Sequence, residues 1–116
     1  MAETRDYKQG DKIFNEGDRG AEAYLVKSGM VEVVRERRSI ATFGRGDVFG
    51  EMALIDDQPR MGSAFAMKDT EVVVIKRAEL MARLEDTDPV VFRLLKTMTQ
   101  RLRADAESRD EPKNES

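Results

Sequence analysis

The sequence contains no cysteine, no histidine and no tryptophan. Without cysteine there is no thiol nucleophile and no disulfide, and without histidine the usual zinc sites and an imidazole general base are excluded as well. Long apolar runs are also missing. No segment reaches the roughly 20 apolar residues that a membrane-spanning helix needs, and the N-terminal stretch MAETRDYKQGDK has no apolar signal region. A soluble, cytoplasmic protein with no membrane contact is the expectation. Nor is there an excess of either charge, since 20 Lys and Arg face 23 Asp and Glu for a formal charge of −3. No global field draws nucleic acid or an anionic surface, so an anionic ligand would need a local positive site. At 116 residues the chain has room for a single hydrophobic core.

What is present is unevenly placed. All eight glycines lie at or before residue 62, and the short β-branched or aromatic runs KIF, AYLVKS, MVEVV and SIATF fall between them. Each suits one strand. YLVKSGMVEVV predicts a hairpin turning at Gly29, and VVRERRSIATF a second with Glu36, Arg37 and Arg38 at its tip. SAFAMK and TEVVVIK supply two more strands, the latter a nearly continuous apolar run expected to be buried on both faces. The period then changes. Leu80, Met81 and Leu84 in RAELMARLED recur at helical spacing, and a longer helix is predicted from Asp88 as N-cap and Pro89 at its first position. Its apolar stripe is Val91, Leu94, Leu95, Met98 and Leu102. The expected layout is an N-terminal arm over 1–6, a β domain over 7–76, helices over 77–106 and a disordered polar tail over 107–116.

Within GDVFGEMALIDDQPRMGSA, Glu51 and Arg60 stand nine residues apart among small and apolar residues. FGEMAL can form one helical turn beginning near Gly50, and such a turn offers unpaired N–H groups that a phosphate can approach over glycine. Arg60 adds a planar cation matched to phosphate oxygens, and ionised Glu51 accepts from hydroxyls. These residue types point to a sugar phosphate. Spacing alone leaves a simple Glu51–Arg60 salt bridge open.

The segment FGEMALIDDQPRMGSA resembles the phosphate-binding cassette of the cyclic nucleotide-binding domain family, F-G-E-[LM]-A-L followed by a short loop and P-R-[AST]-A-[ST]. EGDRGAEAYLVKSGMVEVV resembles the family's E-G-D, an aromatic-aliphatic strand ending in S-G and a V-E-V strand, and FGRGDVFGE resembles its G-x-x-F-G-E approach, so the likeness runs from about Tyr7 to Leu102. The resemblance implies a mainly β fold, a double-stranded β-helix or jelly-roll barrel of about eight strands, with C-terminal α-helices that move on ligand binding. The cassette would span about 49–63. Its ligand would be a 3′,5′-cyclic nucleotide, with Glu51 accepting from the ribose 2′-OH and Arg60 pairing with the cyclic phosphate. The backbone around Gly50, Met52, Ala53, Met61 and Gly62 would line that phosphate, and Ser63 is expected to pack or bond locally.

Three departures from the family pattern matter. Met61 stands where a Ser or Thr hydroxyl assists guanine recognition, which favours cAMP over cGMP. A Thr-Ser pair that contacts adenine in one bacterial branch falls near Asp105 and Ala106, leaving Arg101 or Arg103 as candidate covers for the base. Strand-like sequence begins at about Tyr7, so the helix usually found before the barrel is not expected within these residues. Other prominent residues take plainer readings: Tyr24 and Phe43 as core aromatics, Met52, Met67, Met81 and Met98 as core filling, Arg35 to Arg38 as a solvated tip, and Asp56 and Asp57 as loop surface.

The leading functional expectation is a non-enzymatic regulatory module that binds cAMP, with cGMP second, needs no cofactor or metal, and acts on an effector the sequence does not identify. Its C-terminal stripe is a candidate homodimer seam. Alternatives are the sensor part of a transcription regulator, with no direct nucleic-acid binding expected within these residues, or a jelly-roll interaction domain that has lost its ligand. A cupin-type enzyme would want histidine ligands that this chain lacks.

Overall fold

The computed structural model describes residues 3–52, 58–85 and 89–110. In chain order the strands are β1 (Glu3–Tyr7), β2 (Lys12–Phe14), β3 (Glu22–Ser28), β4 (Met30–Arg35), β5 (Arg38–Gly44), β6 (Val48–Phe49), β7 (Ser63–Ala66) and β8 (Thr70–Lys76). Helices α1 (Arg77–Glu85) and α2 (Pro89–Asp110) follow. The strands form two antiparallel four-stranded sheets, ordered β1-β8-β3-β6 and β2-β7-β4-β5. Tyr24, Val26, Phe49, Val72 and Val74 of the first meet Val31 and Ala64 of the second to form the core. Phe49 anchors it, its ring centroid 5.0 Å from Tyr24 and 5.6 Å from Phe43. Among the described residues no helix is long and apolar enough to cross a membrane.

Several expectations change. The arm expected over 1–6 is strand from Glu3 onward, because β1 pairs along β8 from Glu3↔Val74 to Tyr7↔Thr70. Its residues are mostly polar and exposed, so apolar patterning gave no sign of it. YLVKSGMVEVV is not a hairpin: β3 pairs with β6 and β8 in one sheet, while β4 pairs with β5 and β7 in the other. Gly29 is the corner between sheets. It has φ 101°, and a Cβ there would lie 2.3 Å from Thr70 Oγ1. That hydroxyl accepts from Met30 N at 3.1 Å and donates to Lys68 O at 2.8 Å, which fixes the corner. TEVVVIK is buried on one face only. Val72 and Val74 point into the core, while Val73 and Ile75 are half-buried. Met67 and Met98 are exposed rather than core filling. The tail expected from 107 is helix as far as Asp110, and residues 111–116 lie outside the described residues. Asp56, Asp57 and the N-cap Asp88 lie outside the described residues.

The β4–β5 hairpin forms as expected, with Arg35 opposite Arg38. Its two turn residues, Glu36 and Arg37, have φ of 52° and 66°, a left-handed pair that side chains other than Asn, Asp and Gly adopt at a cost. The paired substitutions Glu36→Asn and Arg37→Gly are expected to stabilise the chain by about 1 kcal/mol, read as a higher midpoint in thermal unfolding.

Candidate functional site

Arg60 is positioned by its own backbone. Its N–H donates to Asp18 O at 2.8 Å and its carbonyl accepts from Gly17 N at 2.9 Å, while Pro59 bridges to Arg19. The side chain is thereby drawn inside, and the residue is only 5% exposed. Nη1 donates to Gly50 O at 2.9 Å and Nη2 to Glu22 O at 2.7 Å. Nε is buried with no hydrogen-bond partner. The guanidinium carbon lies 4.1 Å from the centre of the Phe14 ring and 5.9 Å from that of Tyr24. Among the described residues no carboxylate pairs with Arg60, so the salt-bridge reading of Glu51 and Arg60 does not hold. Burial lowers the Arg60 pKa, and nearby Tyr24, Glu22, Asp18 and Glu51 oppose that shift. The group stays cationic, since guanidinium does not deprotonate in proteins. The hydrogen bonds to this buried cation go to neutral carbonyls, so an anion beside it would be favoured.

Gly50 lets this arrangement close. It has φ 80°, and a Cβ would stand 2.8 Å from Arg60 Nη1. Directly after it Glu51 and Met52 take helical geometry, the start of the expected turn. Glu51 is half-buried, and burial raises its pKa above the ordinary 4.5, opposed by a bond from its own backbone N–H and by the charge of Arg60. Gly62 packs the entry to β7 flat on β4, since a Cβ would meet Val34 O at 2.7 Å and Val33 Cγ1 at 2.8 Å.

Together these residues wall a cavity of about 350 Å³. Gly50, Glu51, Met52, Arg60, Met61 and Gly62 line one side, all of them anticipated from sequence, and Arg103 of α2 reaches the same space. Arg103 Nη1 also donates to Pro59 O at 2.9 Å, tying α2 to the residue before Arg60. Three anticipated residues stand apart. Ser63 Oγ accepts from Glu16 N at 2.9 Å and is not among the lining residues, Arg101 is exposed and does not line the cavity, and Ala53 lies outside the described residues. Phe14, Val33, Ile40 and Ala41 complete the apolar wall and were not singled out from sequence. Phe43 lines the cavity besides packing on Phe49, and Arg38 lines it too rather than belonging to a purely solvated tip. Alternation along β4 and β5 could have marked Val33 and Ala41, but nothing local marks Phe14.

Two antiparallel sheets thus carry a buried arginine and a half-buried carboxylate on the wall of one cavity, beside a glycine after which the chain turns helical. Residues 4–87 match the cyclic nucleotide-binding domain family, and the chain belongs to that family. It is 39% identical over 106 residues to the cyclic AMP receptor protein of Thermus thermophilus, covering 87% of this chain and 49% of the relative. A cAMP-dependent protein kinase regulatory subunit of Hypocrea atroviridis is 37% identical over 73 residues, 63% of this chain and 16% of that protein. Among solved structures, the cAMP-bound form of the EAL enzyme Bd1971 superposes with a TM-score of 0.82 at 32% identity, covering 91% of this chain and 29% of the other. The Thermus thermophilus catabolite activator protein gives 0.74 at 36% identity, covering 94% and 54%. The chain thus spans about half or less of these relatives, and is a sensor domain of the receptor-protein and kinase-regulatory type.

Proposed function

We propose that this domain binds a 3′,5′-cyclic nucleotide, cAMP in preference to cGMP, and signals through movement of α2. The observation that carries this reading is the buried Arg60 guanidinium, whose Nε–H has no acceptor while the side chain borders a cavity with Glu51 on its wall. A cyclic phosphate in that cavity brings a negative charge to this cation, and the ribose 2′-OH donates to Glu51. One relative, the EAL enzyme Bd1971, solved both with cAMP and with cGMP, supports the ligand class. Met61 offers guanine no hydroxyl, which supports adenine. The two sheets act as a jelly-roll container, and Gly50, Met52 and Gly62 line the phosphate turn.

The route to α2 is the Arg103–Pro59 bond, one residue from the ligand's arginine. A ligand shifts a helix only through differential affinity for its two positions, and a helix residue lining the cavity supplies that difference. α2 turns the buried Thr99 and half-buried Arg103 inward and leaves Val91, Leu94, Leu95, Met98 and Leu102 exposed. That stripe favours a homodimer seam. The module is proposed to be cytoplasmic and non-enzymatic, needing no cofactor, and to regulate a partner or further domain without binding nucleic acid itself. The sensor part of a transcription regulator is the second reading, favoured by the Thermus relative. Side-by-side calorimetric titration tests the ligand: cAMP is expected to bind more tightly than cGMP by roughly tenfold, about one hydrogen bond's worth. Binding of neither nucleotide would refute the proposal.

A further inference from the structure

Arg60 is a buried cation whose position is set without a carboxylate. Two carbonyls hold Nη1 and Nη2, and the Phe14 ring centre lies 4.1 Å from Cζ, well inside the range of a cation–π contact. Gly20 closes from a second side, where an added Cβ would fall 2.2 Å from Cζ and 2.3 Å from Nε. These contacts differ from an ion pair in one chemical respect. A carboxylate would occupy the fork and compete with an incoming phosphate, whereas a ring attracts the cation through its face and takes up none of its N–H donors. A leucine or isoleucine would fill similar space at the end of β2 without that attraction.

We infer that Phe14 is a positioning residue for ligand capture: its ring and the bare backbone of Gly20 form a slot that holds the Arg60 guanidinium at the cavity wall without taking up any of its N–H donors. This rests on the cyclic nucleotide reading above and adds to it a role for a β2 side chain outside the cassette. The ring offsets part of the desolvation of the cation while no ligand is bound, and keeps the fork oriented when the phosphate arrives. Tyr24, 5.9 Å from the same carbon, is the weaker second ring.

The test changes the ring's electrostatics at nearly constant shape. Phe14 is replaced by 4-fluoro-, 3,5-difluoro- and pentafluorophenylalanine in the full chain, alongside Phe14→Leu, and cAMP affinity is measured by calorimetry. Far-ultraviolet circular dichroism checks that each variant folds. The dissociation constant is expected to rise with each added fluorine, reaching roughly tenfold for the pentafluoro ring, with Phe14→Leu falling in the same range. A ring that merely packs would leave the fluorine series flat, and that result, with wild-type binding intact, overturns this inference alone. A wild-type chain that binds neither cAMP nor cGMP overturns the functional reading and this inference with it.

Discussion

Arg60→Ala is expected to weaken cAMP binding by about 2–5 kcal/mol, because it removes the buried cation proposed to meet the cyclic phosphate at this wall. The effect on folding should be smaller. In the ligand-free chain Arg60 gains two charge-assisted bonds to Gly50 O and Glu22 O and a contact with Phe14, but it also loses most of its hydration. These contributions oppose each other, so the unfolding free energy should change by roughly 1 kcal/mol, much less than the binding energy. Arg60→Lys separates charge from geometry. It keeps the cation but loses the planar fork that spans both carbonyls, so it should restore part of the affinity and not all of it. Calorimetry on the three proteins, with thermal melts in parallel, decides the matter. Unchanged cAMP affinity in the alanine variant would remove Arg60 from the site.

The contrast between binding and folding follows from how the arginine is held, and that was beyond the reach of sequence. The cassette itself was legible: Gly50, Glu51, Met52, Arg60, Met61 and Gly62 were singled out together, and they wall one cavity. Their legibility came from a long ordered pattern, since the spacing of Glu51 and Arg60 fits an ion pair equally well. The groups that bind the guanidinium come from elsewhere: Phe14 from β2, Glu22 O from β3 and Gly20 from the loop between them. Tertiary structure alone brings them to Arg60. The strands with regular apolar character, β2, β3, β4, β5, β7 and β8, were readable for the same reason that β1 and β6 were not. β1 is polar and exposed at an edge, and β6 has only Val48 and Phe49. A glycine between two strands reads as a hairpin turn, yet Gly29 sends the chain from one sheet to the other, because which strands pair is settled by partners remote in sequence. On α2 the stripe was visible, but only the structure shows that the helix sets Thr99 inward and the stripe outward.

Glu51→Gln should weaken cAMP binding at neutral pH by about 1.5–3 kcal/mol, the worth of a hydrogen bond to a charged acceptor, and should also flatten the dependence of binding on pH. Burial raises the Glu51 pKa above 4.5 in the ligand-free chain. An acid whose pKa is higher folded than unfolded carries the extra proton in the folded state. Its stabilising contribution is therefore fully present below the unfolded value and is lost as pH rises through the folded one. At neutral pH the ionised carboxylate is thus a burden on folding, and glutamine, which carries no charge to desolvate, should leave stability equal or higher. Binding runs the other way. With the 2′-OH donating to the ionised form, as proposed, ligand favours ionisation, and affinity should fall as pH is lowered through the folded pKa, with proton release on binding in that window. The glutamine variant should lose this acid-side fall while binding more weakly at pH 7. The same hydrogen bond can be removed from the ligand side with 2′-deoxy-cAMP. The parent protein should bind that analogue about as weakly as the variant binds cAMP, and the variant should hardly distinguish the two ligands. If the parent protein binds cAMP and its 2′-deoxy analogue equally well, Glu51 does not hold the ribose, and its place on the cavity wall must serve another contact.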